Sequence, residues 1–347
     1  MATMTDVARR AGVSTATVSR VLNRSAAVDE ATRRQVDEAI AQLRYRPNAV
    51  ARGLASRSSR TVGVVINRFD STYYGSLLDG AEKALAALGF KMLAESTHER
   101  AEGEREAWAS LLERQCDAVV VHSDSLADAE LGEWMDEHPR SVLMNRYLEG
   151  HGERCIHLDN RRGGALAARI LLERGHRSIA MVTGPTTFYE VRDRSAGFIE
   201  ALEAAATTPI VVEADFLEEG GYRAMMELID TGRSMTAVFF QNDDMAAGAL
   251  EACRKRGIGV PDEVSLIGFD DIDVARHLAP KLTTIRQPLR EIGAAAGRLA
   301  HALATGAADT SAIPRTFEAE VVERASVATL TSPAATVPGR STGRKTS

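Results

Sequence analysis

Residues 3–23 read TMTDVARRAGVSTATVSRVLN, and this stretch decides the fold of the N-terminal region. Thr3 is followed three residues later by Asp6, a pair typical of a helix N-terminus at which each side chain bonds the backbone N–H of the other residue. Gly12 is expected to end this helix in the left-handed conformation. Ser14 then suits the cap of a second helix that begins one residue later. Two short helices joined by such a turn predict a helix-turn-helix.

A third helix is predicted to complete this N-terminal head. Residues 30–44 place Val36, Ile40 and Leu43 on one side of a helix, and Asp29 precedes it as a cap. Three short helices around one small apolar core predict an all-α head.

The head is basic, whereas the rest of the chain is acidic. Residues 1–60 hold 11 Arg, no Lys and five acids, a net charge of +6; the whole chain carries −6, so residues 61–347 carry −12. Positive charge confined to a small module is typical of contact with phosphate groups. A basic solvated surface gives the same asymmetry, so the charge supports the motif and does not replace it.

The second helix has the side chains of a DNA-reading element. Its core-facing positions are Val18, Val21 and Leu22, and its other residues are small or form hydrogen bonds. Small side chains let a helix enter the major groove, where Arg20 can bond guanine O6 and N7 together. Hydroxyl groups such as that of Thr17 suit phosphate oxygens.

Residues 6–23 and residues 45–55, YRPNAVARGLA, resemble the head of the LacI/GalR repressor family, and the resemblance runs to about residue 330. It implies that residues 47–57 form a hinge that becomes helical when two copies pair on DNA. Leu54 would then wedge into the minor groove at the centre of the operator. The DNA-contact residues expected from the motif and the resemblance are Thr5, Ser14, Thr15, Ala16, Thr17, Ser19, Arg20, Asn23, Asn48 and Leu54.

From residue 61 onward, short apolar runs alternate with helical stretches. Such alternation predicts doubly wound parallel sheets, and two sets of runs predict two lobes. The predicted strands are residues 61–66, 91–95, 118–122, 141–145, 155–158, 178–183, 209–214, 237–241 and 264–268. The predicted helices are residues 74–87, 102–114, 162–174, 192–205, 220–228 and 245–255.

The expected fold is therefore an all-α head followed by a two-lobed α/β core that resembles the periplasmic binding proteins. The expected domains are a helix-turn-helix domain at 1–46, a hinge helix and linker at 47–60, an effector-binding and dimerisation core at 61–330 and a disordered tail at 331–347. Within the core, the N-lobe is expected at about 61–157 and 288–313, and the C-lobe at about 158–287 and 314–330.

The cleft between the lobes is the expected ligand site, because ligands of open α/β sheets bind beyond the carboxyl ends of the strands. The resemblance to periplasmic sugar-binding proteins implies that Arg192 is the ligand-binding arginine and that Asp243 binds ligand hydroxyls. Flat aromatic rings suit the apolar face of a sugar or a purine. Asp270 and Asp271 are expected near the cleft without an assigned role. The effector-binding residues assigned in this way are Tyr73, Tyr74, His122, Asn145, Arg192, Phe216 and Asp243.

The leading hypothesis is a repressor that binds double-stranded operator DNA and is controlled by a small sugar-like effector. Residues 116–122 and 145–146 are similar to the galactose-type branch of the family. A purine- or nucleoside-responsive, corepressed regulator is the alternative. The tail at 331–347 lacks the leucine heptads of a tetramerising helix, so a homodimer on a near-palindromic operator is expected.

Other classes of protein fit the sequence less well. A transport-type binding protein does not account for the basic head, and without a leader-like apolar run a cytoplasmic, nucleoid-associated location is expected. An enzyme on the same core is disfavoured, since no nucleophile elbow, phosphate loop or dinucleotide fingerprint occurs. Cys116, Cys155 and Cys253 are too far apart for a zinc motif, so neither a metal nor a cofactor is expected.

Overall fold

The structure, a computed structural model, describes residues 2–22, 27–45 and 58–330, and the chain divides into two units, Met1–Ser59 and Arg60–Ser347. Most of the predicted hinge and the whole predicted tail lie outside the described residues.

The first unit contains the helix-turn-helix that the sequence predicts. Its helices are α1 (Met4–Ala11), α2 (Thr15–Leu22) and α3 (Glu30–Gln42). The Thr3 hydroxyl accepts the Asp6 N–H at 3.2 Å, and the Asp6 carboxylate accepts the Thr3 N–H at 3.0 Å. Gly12 ends α1 in the left-handed conformation with φ 66°. These local bonds fix the direction in which the chain enters α2.

A small apolar cluster holds the three helices together. Val7, Val18 and Val36, one from each helix, are fully buried. The third helix ends two residues earlier than predicted, and Asp29 caps it by accepting the Thr32 N–H at 2.9 Å. Its buried positions are Val36 and Ala39, whereas the predicted Ile40 and Leu43 are half-buried.

The second unit is a two-lobed α/β core, as predicted. Its strands are β1 (Thr61–Ile66), β2 (Lys91–Ser96), β3 (Ala118–His122), β4 (Ser141–Met144), β5 (Cys155–Leu158), β6 (Ile179–Thr183), β7 (Ile210–Glu213), β8 (Ala237–Phe240), β9 (Ser265–Asp270), β10 (Thr283–Arg286), β11 (Thr316–Phe317) and β12 (Glu320–Val322). Its helices are α4 (Thr72–Ala87), α5 (Ala101–Glu113), α6 (Asp128–Glu137), α7 (Asn160–Glu173), α8 (Tyr189–Glu203), α9 (Glu218–Asp230), α10 (Asp243–Arg256), α11 (Asp273–His277) and α12 (Leu289–Thr305).

Each lobe is built on one sheet. The first-lobe sheet has the order β11-β5-β4-β3-β1-β2, with parallel pairing throughout. The second-lobe sheet has the order β12-β10-β9-β8-β6-β7 and is parallel except at β12, which runs antiparallel to β10. The strands β3 and β4 are buried along their whole length, as expected for parallel strands covered by helices on both faces.

The chain crosses between the lobes three times, after β5, after β10 and after β11. The predicted return to the second lobe at residue 314 is too early, because Thr316–Phe317 still pairs with β5 of the first lobe. Two backbone bonds hold that pairing, from the His157 N–H to the Arg315 carbonyl at 2.8 Å and from the Asp159 N–H to the Phe317 carbonyl at 2.9 Å.

Within the described residues, no helix is long and apolar enough to cross a membrane. The same residues contain no group of three or more His, Cys, Asp or Glu side chains placed to hold a metal ion. Cys155 and Cys253 are buried and Cys116 is half-buried, each as a free thiol.

Candidate ligand cleft and nucleic-acid interface

The loops beyond the carboxyl ends of the strands enclose a cavity of about 210 Å³ between the two lobes. The first lobe contributes the loops after β1 and β2, and the second lobe contributes those after β6, β7, β8 and β9. The lining residues are Arg68, Asp70, Ser71, Thr72, Tyr73, Tyr74, Glu99, Pro185, Phe188, Glu190, Arg194, Asp215, Phe216, Leu217, Asn242, Asp244, Asp270 and Gln287. Three of the predicted effector-binding residues, Tyr73, Tyr74 and Phe216, are among them.

Two tyrosines at the start of α4 form the first-lobe wall. The rings of Tyr73 and Tyr74 meet edge to face with centroids 4.9 Å apart. Asn145 Nδ2 donates to the Tyr73 hydroxyl at 2.6 Å, and His122 Nε2 lies 3.5 Å from the same oxygen. The predicted residues His122 and Asn145 are therefore brought to the site, where they are buried behind Tyr73 and fix its hydroxyl.

The second-lobe wall is formed by Phe216 and Phe188, whose ring centroids are 6.2 Å apart. Phe216 has a positive φ of 62°, which a bulky residue rarely adopts. Asn242 Nδ2 donates to the Phe216 carbonyl at 2.8 Å and holds this conformation. The two aromatic walls face the cavity from opposite lobes.

On α8, the arginine that lines the cavity is Arg194 and not the predicted Arg192. Arg192 is exposed, whereas Arg194 is 2% exposed and lines the cavity. The guanidinium group of Arg194 bonds Asn160 Oδ1 at 2.8 Å and the Gln241 carbonyl, and it lies 3.6 Å from the centre of the Phe269 ring. On α8, the inward positions recur one turn apart, at Glu190 and Arg194, so residue 192 faces outward.

The predicted Asp243 does not line the cavity, whereas Asp270, at the end of the neighbouring strand β9, does. Asp243 is fully buried behind the wall, where it accepts the Thr284 hydroxyl at 2.5 Å and the Ile272 N–H at 2.9 Å. Asp270 lines the cavity and accepts Gln287 Nε2 at 2.6 Å. Asn242 and Asp244, which flank Asp243, also line the cavity. The predicted segment is therefore at the cavity, but the predicted residue is not.

Asp271 anchors the turn that presents Asp270. Both residues have positive φ, 108° for Asp270 and 55° for Asp271, so the backbone reverses sharply after β9. The Asp271 carboxylate is turned to Arg286 at 2.8 Å, to Arg276 at 3.4 Å and to Arg324. These ion pairs hold the pKa of Asp271 below its usual range although burial opposes them. Asp270 and Asp271 were expected near the cleft without an assigned role, and the signal available in the sequence was their position at the end of a buried strand.

Burial changes the pKa of three carboxyl groups: Glu190 and Asp270 line the cavity, and Asp124 is buried in the first lobe. Burial raises the pKa of Asp124, Glu190 and Asp270 to about 7 each. Asp124 belongs to the first lobe and Glu190 to the second. After burial, the charge of Asp124 further raises the pKa of Glu190, whereas the pKa of Asp124 is raised by burial and by the charge of Glu104 and lowered by its hydrogen bond with Glu190. Asn67 Nδ2 donates to Asp124 at 2.5 Å.

The candidate nucleic-acid interface is the outer side of α2. Val18 and Val21 are buried, and Ala16 and Arg20, one turn apart on the opposite side, are exposed. The hydroxyl groups of Ser14 and Thr17 lie 2.9 Å apart at the start of this helix. Of the other predicted DNA contacts, Thr5 and Thr15 are exposed and Ser19 is half-buried, while Asn23, Asn48 and Leu54 lie outside the described residues.

Comparison with known proteins agrees with the helix-turn-helix and with the two-lobed core. Residues 3–48 match the family described as bacterial regulatory proteins, lacI family, and residues 168–327 match a periplasmic binding protein-like domain. The transcriptional regulator GalR of Salmonella typhimurium (strain SL1344) is 41% identical over 334 residues, which cover 95% of this chain and 97% of GalR. The transcriptional repressor PurR of Edwardsiella ictaluri (strain 93-146) is 36% identical over 301 residues, 85% of this chain and 88% of PurR. The crystal structure of the lac repressor dimer bound to operator and the anti-inducer ONPF superposes with a TM-score of 0.84 at 26% identity, covering 94% of this chain and 99% of that chain.

Proposed function

The chain belongs to the LacI family of bacterial regulatory proteins, and from this premise we propose that it is a repressor that a small sugar-like effector controls. The observation that carries the proposal is the combination, in one chain, of a helix-turn-helix with an exposed reading face and an interlobe cavity with aromatic walls. The reading face binds operator DNA, and the cavity binds the effector.

Two copies of the chain bind DNA together. One helix-turn-helix contacts only one half-site, and a two-fold dimer matches an operator whose halves are related by the same symmetry. The lac repressor, to which this chain is similar, is described as a dimer bound to operator. The operator is therefore an approximate palindrome.

The effector is an uncharged sugar. A cavity of about 210 Å³ is smaller than the ~300–1,000 Å³ typical of pockets for drug-sized ligands, so it suits a monosaccharide. The rings of Tyr73 and Phe216 suit the apolar face of such a ring, and carboxyl groups accept its hydroxyl hydrogens.

The charge of the lining argues against a phosphorylated sugar. The two lining arginines are already engaged, Arg68 with Asp70 at 2.9 Å and Arg194 with Asn160. Burial raises the pKa of Glu190, Asp244 and Asp270, and a phosphate placed against these groups would raise the electrostatic cost further.

Effector binding controls DNA binding through the lobes. The cavity takes lining residues from both lobes, so a ligand that contacts both walls favours one arrangement of the lobes over others. Such coupling between two sites typically changes affinity about 5–150-fold. An inducer of this kind weakens operator binding by a factor in that range.

A thermal melt of the purified protein against monosaccharides, sugar phosphates, nucleosides and purines tests the effector class. A neutral monosaccharide at 100 times its dissociation constant should stabilise the core by about 2.7 kcal/mol, whereas sugar phosphates should give no shift. The compound that shifts the melt is then added to an operator-binding titration, with the operator selected from random DNA by the protein itself. Loss of operator binding identifies an inducer.

A purine or nucleoside is the second candidate, because aromatic walls also stack on a purine and the chain is 36% identical to a repressor named PurR. A shift with purines alone, accompanied by stronger operator binding, would establish this alternative and refute the sugar proposal.

A further inference from the structure

The aromatic wall of the second lobe rests on a residue that has no side chain. Gly184 follows β6 directly, and the Phe216 ring lies flat against it. A Cβ at residue 184 would lie 2.2 Å from Phe216 Cζ, 2.3 Å from Cε2 and 2.7 Å from Cε1. All three distances are shorter than real carbon–carbon contacts, so the ring occupies the volume in which any side chain at this position would stand.

The Phe216 ring cannot be relocated by moving its backbone. The Phe216 carbonyl accepts Asn242 Nδ2 at 2.8 Å. On its other side, the Asp215 carboxylate accepts the Leu217 N–H at 3.1 Å and Arg223 Nη2 at 2.8 Å. These bonds span the turn before and after Phe216, which already has a φ of 62°. A displaced ring must therefore rotate about its own side-chain bonds.

A Phe216 ring displaced from residue 184 can rotate into the cavity. Phe216 lines it, and Phe188 stands beside it with ring centroids 6.2 Å apart. The opposite wall is equally fixed, because Asn145 Nδ2 holds the Tyr73 hydroxyl at 2.6 Å. With both walls held, a small shift of the Phe216 ring changes the width available to a ligand.

We propose that Gly184 is a specificity-determining residue of the cleft. Because Gly184 has no side chain, the Phe216 ring can pack against it, and the position of this ring sets the width of the cavity between the two aromatic walls. The inference rests on the proposed sugar-binding function of this cavity. A side chain at residue 184 pushes the Phe216 ring into the cavity, which then becomes too narrow for a ring the size of a hexose.

Calorimetric titration with the neutral hexoses D-galactose and D-glucose compares the wild type with Gly184→Ala. Affinity for a hexose that binds the wild type should fall roughly tenfold or more in Gly184→Ala, as expected for overpacking of a fixed wall. Gly132→Ala on α6 is the matched control, since a Cβ there meets only His151 at an ordinary 3.6 Å. Affinity equal to the wild type in Gly184→Ala would overturn the proposal.

A double substitution distinguishes the effect of residue 184 on the Phe216 ring from a general loss of stability. Phe216→Leu removes the ring atoms that a Cβ at residue 184 would meet, so adding Gly184→Ala to it should change hexose affinity by no more than about twofold. A further roughly tenfold loss in the double variant would mean that Gly184 acts through something other than the ring, which would also overturn the proposal.

Crystal structures of the ligand-free wild type and Gly184→Ala keep this test independent of the proposed function. The Phe216 ring should be rotated into the cavity in the variant. A ring that stays in place while the backbone of residue 184 moves would refute the role of Gly184. If the ring is rotated in Gly184→Ala but the wild type binds no hexose, the role of Gly184 in positioning Phe216 is supported and the sugar proposal is refuted.

Discussion

Arg192 and Arg194 lie two positions apart on one helix, and the fold gives them opposite environments. Arg192 is exposed to solvent. Arg194 is buried between Asn160, the Gln241 carbonyl and the face of Phe269. The pair therefore offers two arginine substitutions that differ only in the environment of the side chain.

Arg194→Ala should destabilise the core and weaken effector binding, and Arg192→Ala should do neither. Removing a buried guanidinium with several partners costs on the order of 2–4 kcal/mol, whereas an exposed substitution stays within about 0.5 kcal/mol. Urea unfolding of the core, followed by titration of the stabilising sugar, measures both effects. Equal losses in the two variants would contradict the assignment of Arg194 to the cavity.

Arg20→Ala should reduce operator binding far more than binding to unrelated DNA. A bidentate arginine–guanine contact contributes about 1–3 kcal/mol of discrimination, which corresponds to roughly 5–150-fold. Arg34→Ala removes the same charge from the exposed surface of α3 and serves as the control. Fluorescence anisotropy with operator and with random DNA checks this; if Arg20→Ala weakened both equally, Arg20 would be a phosphate contact.

Single residues were predictable from the sequence where their interactions are local. Thr3, Asp6 and Gly12 form bonds within a few residues, and their roles followed from spacing alone. Arg192 was predicted in place of Arg194 and Asp243 in place of Asp270, which was expected near the cleft without an assigned role. The reason is that a shift of one or two residues along the chain decides which side chain faces the cavity. Which residue faces the cavity depends on how α8 packs and on the backbone reversal after β9. A pattern of residue types contains neither piece of information.

At the scale of elements, the turn between α1 and α2 determines whether the reading helix is presented. Gly12 has φ 66°, a conformation that costs an L side chain roughly 1–2 kcal/mol. The cluster around Val7 and Val18 is small, so it has little stability in reserve.

Gly12→Ala should therefore loosen the helix-turn-helix, with amide exchange in α1 and α2 about 5–30-fold faster than in the wild type. Gly12→Asn should be milder, because Asn tolerates the left-handed conformation. Hydrogen–deuterium exchange of the full chain measures both variants. Unchanged exchange in Gly12→Ala would show that the turn adopts another conformation without cost.

Several strands of the core were predictable because each is a continuous apolar run in the sequence. The strands β1, β3 and β5 have the predicted bounds. The strands β10, β11 and β12 were not predicted, since each has two to four residues and is defined by the neighbour it pairs with. The helix α12 was also missed, although its apolar side packs against α4 and completes the first lobe.

At the scale of the whole molecule, carboxyl groups from both lobes are buried in one cleft. Glu190 has a pKa of about 7 in the folded protein, above its ordinary value of 4.5. A group whose folded pKa is raised stabilises the fold below its unfolded pKa and loses that contribution as pH rises through the folded pKa. The contribution of Glu190 therefore declines between about pH 4.5 and pH 7.

Glu190→Gln should make the core more stable than the wild type at pH 8, and most of this difference should disappear at pH 5. The difference at pH 8 is on the order of 2–3 kcal/mol, because the variant buries no charge. Burial lowers the pKa of His176, which does not interact with Glu190, so His176 affects both proteins equally and cancels. Burial also lowers the pKa of His122, but the charge of Glu190 raises it, so His122 becomes harder to protonate in the variant. Thermal melts at both pH values measure the gap, with the exposed Glu203→Gln on the same helix as control; a gap independent of pH would contradict the assignment.

The third crossing between the lobes has a consequence for how the chain is made. The strand β11 completes the first-lobe sheet and β12 completes the second, and only two residues separate them near residue 319. During synthesis, the helix-turn-helix can fold as soon as it leaves the ribosome. Neither lobe has its last strand until residues 316–322 emerge. A message truncated before that point would thus yield a DNA-reading head attached to two unfinished sheets, and the last strands of both lobes are synthesised almost together.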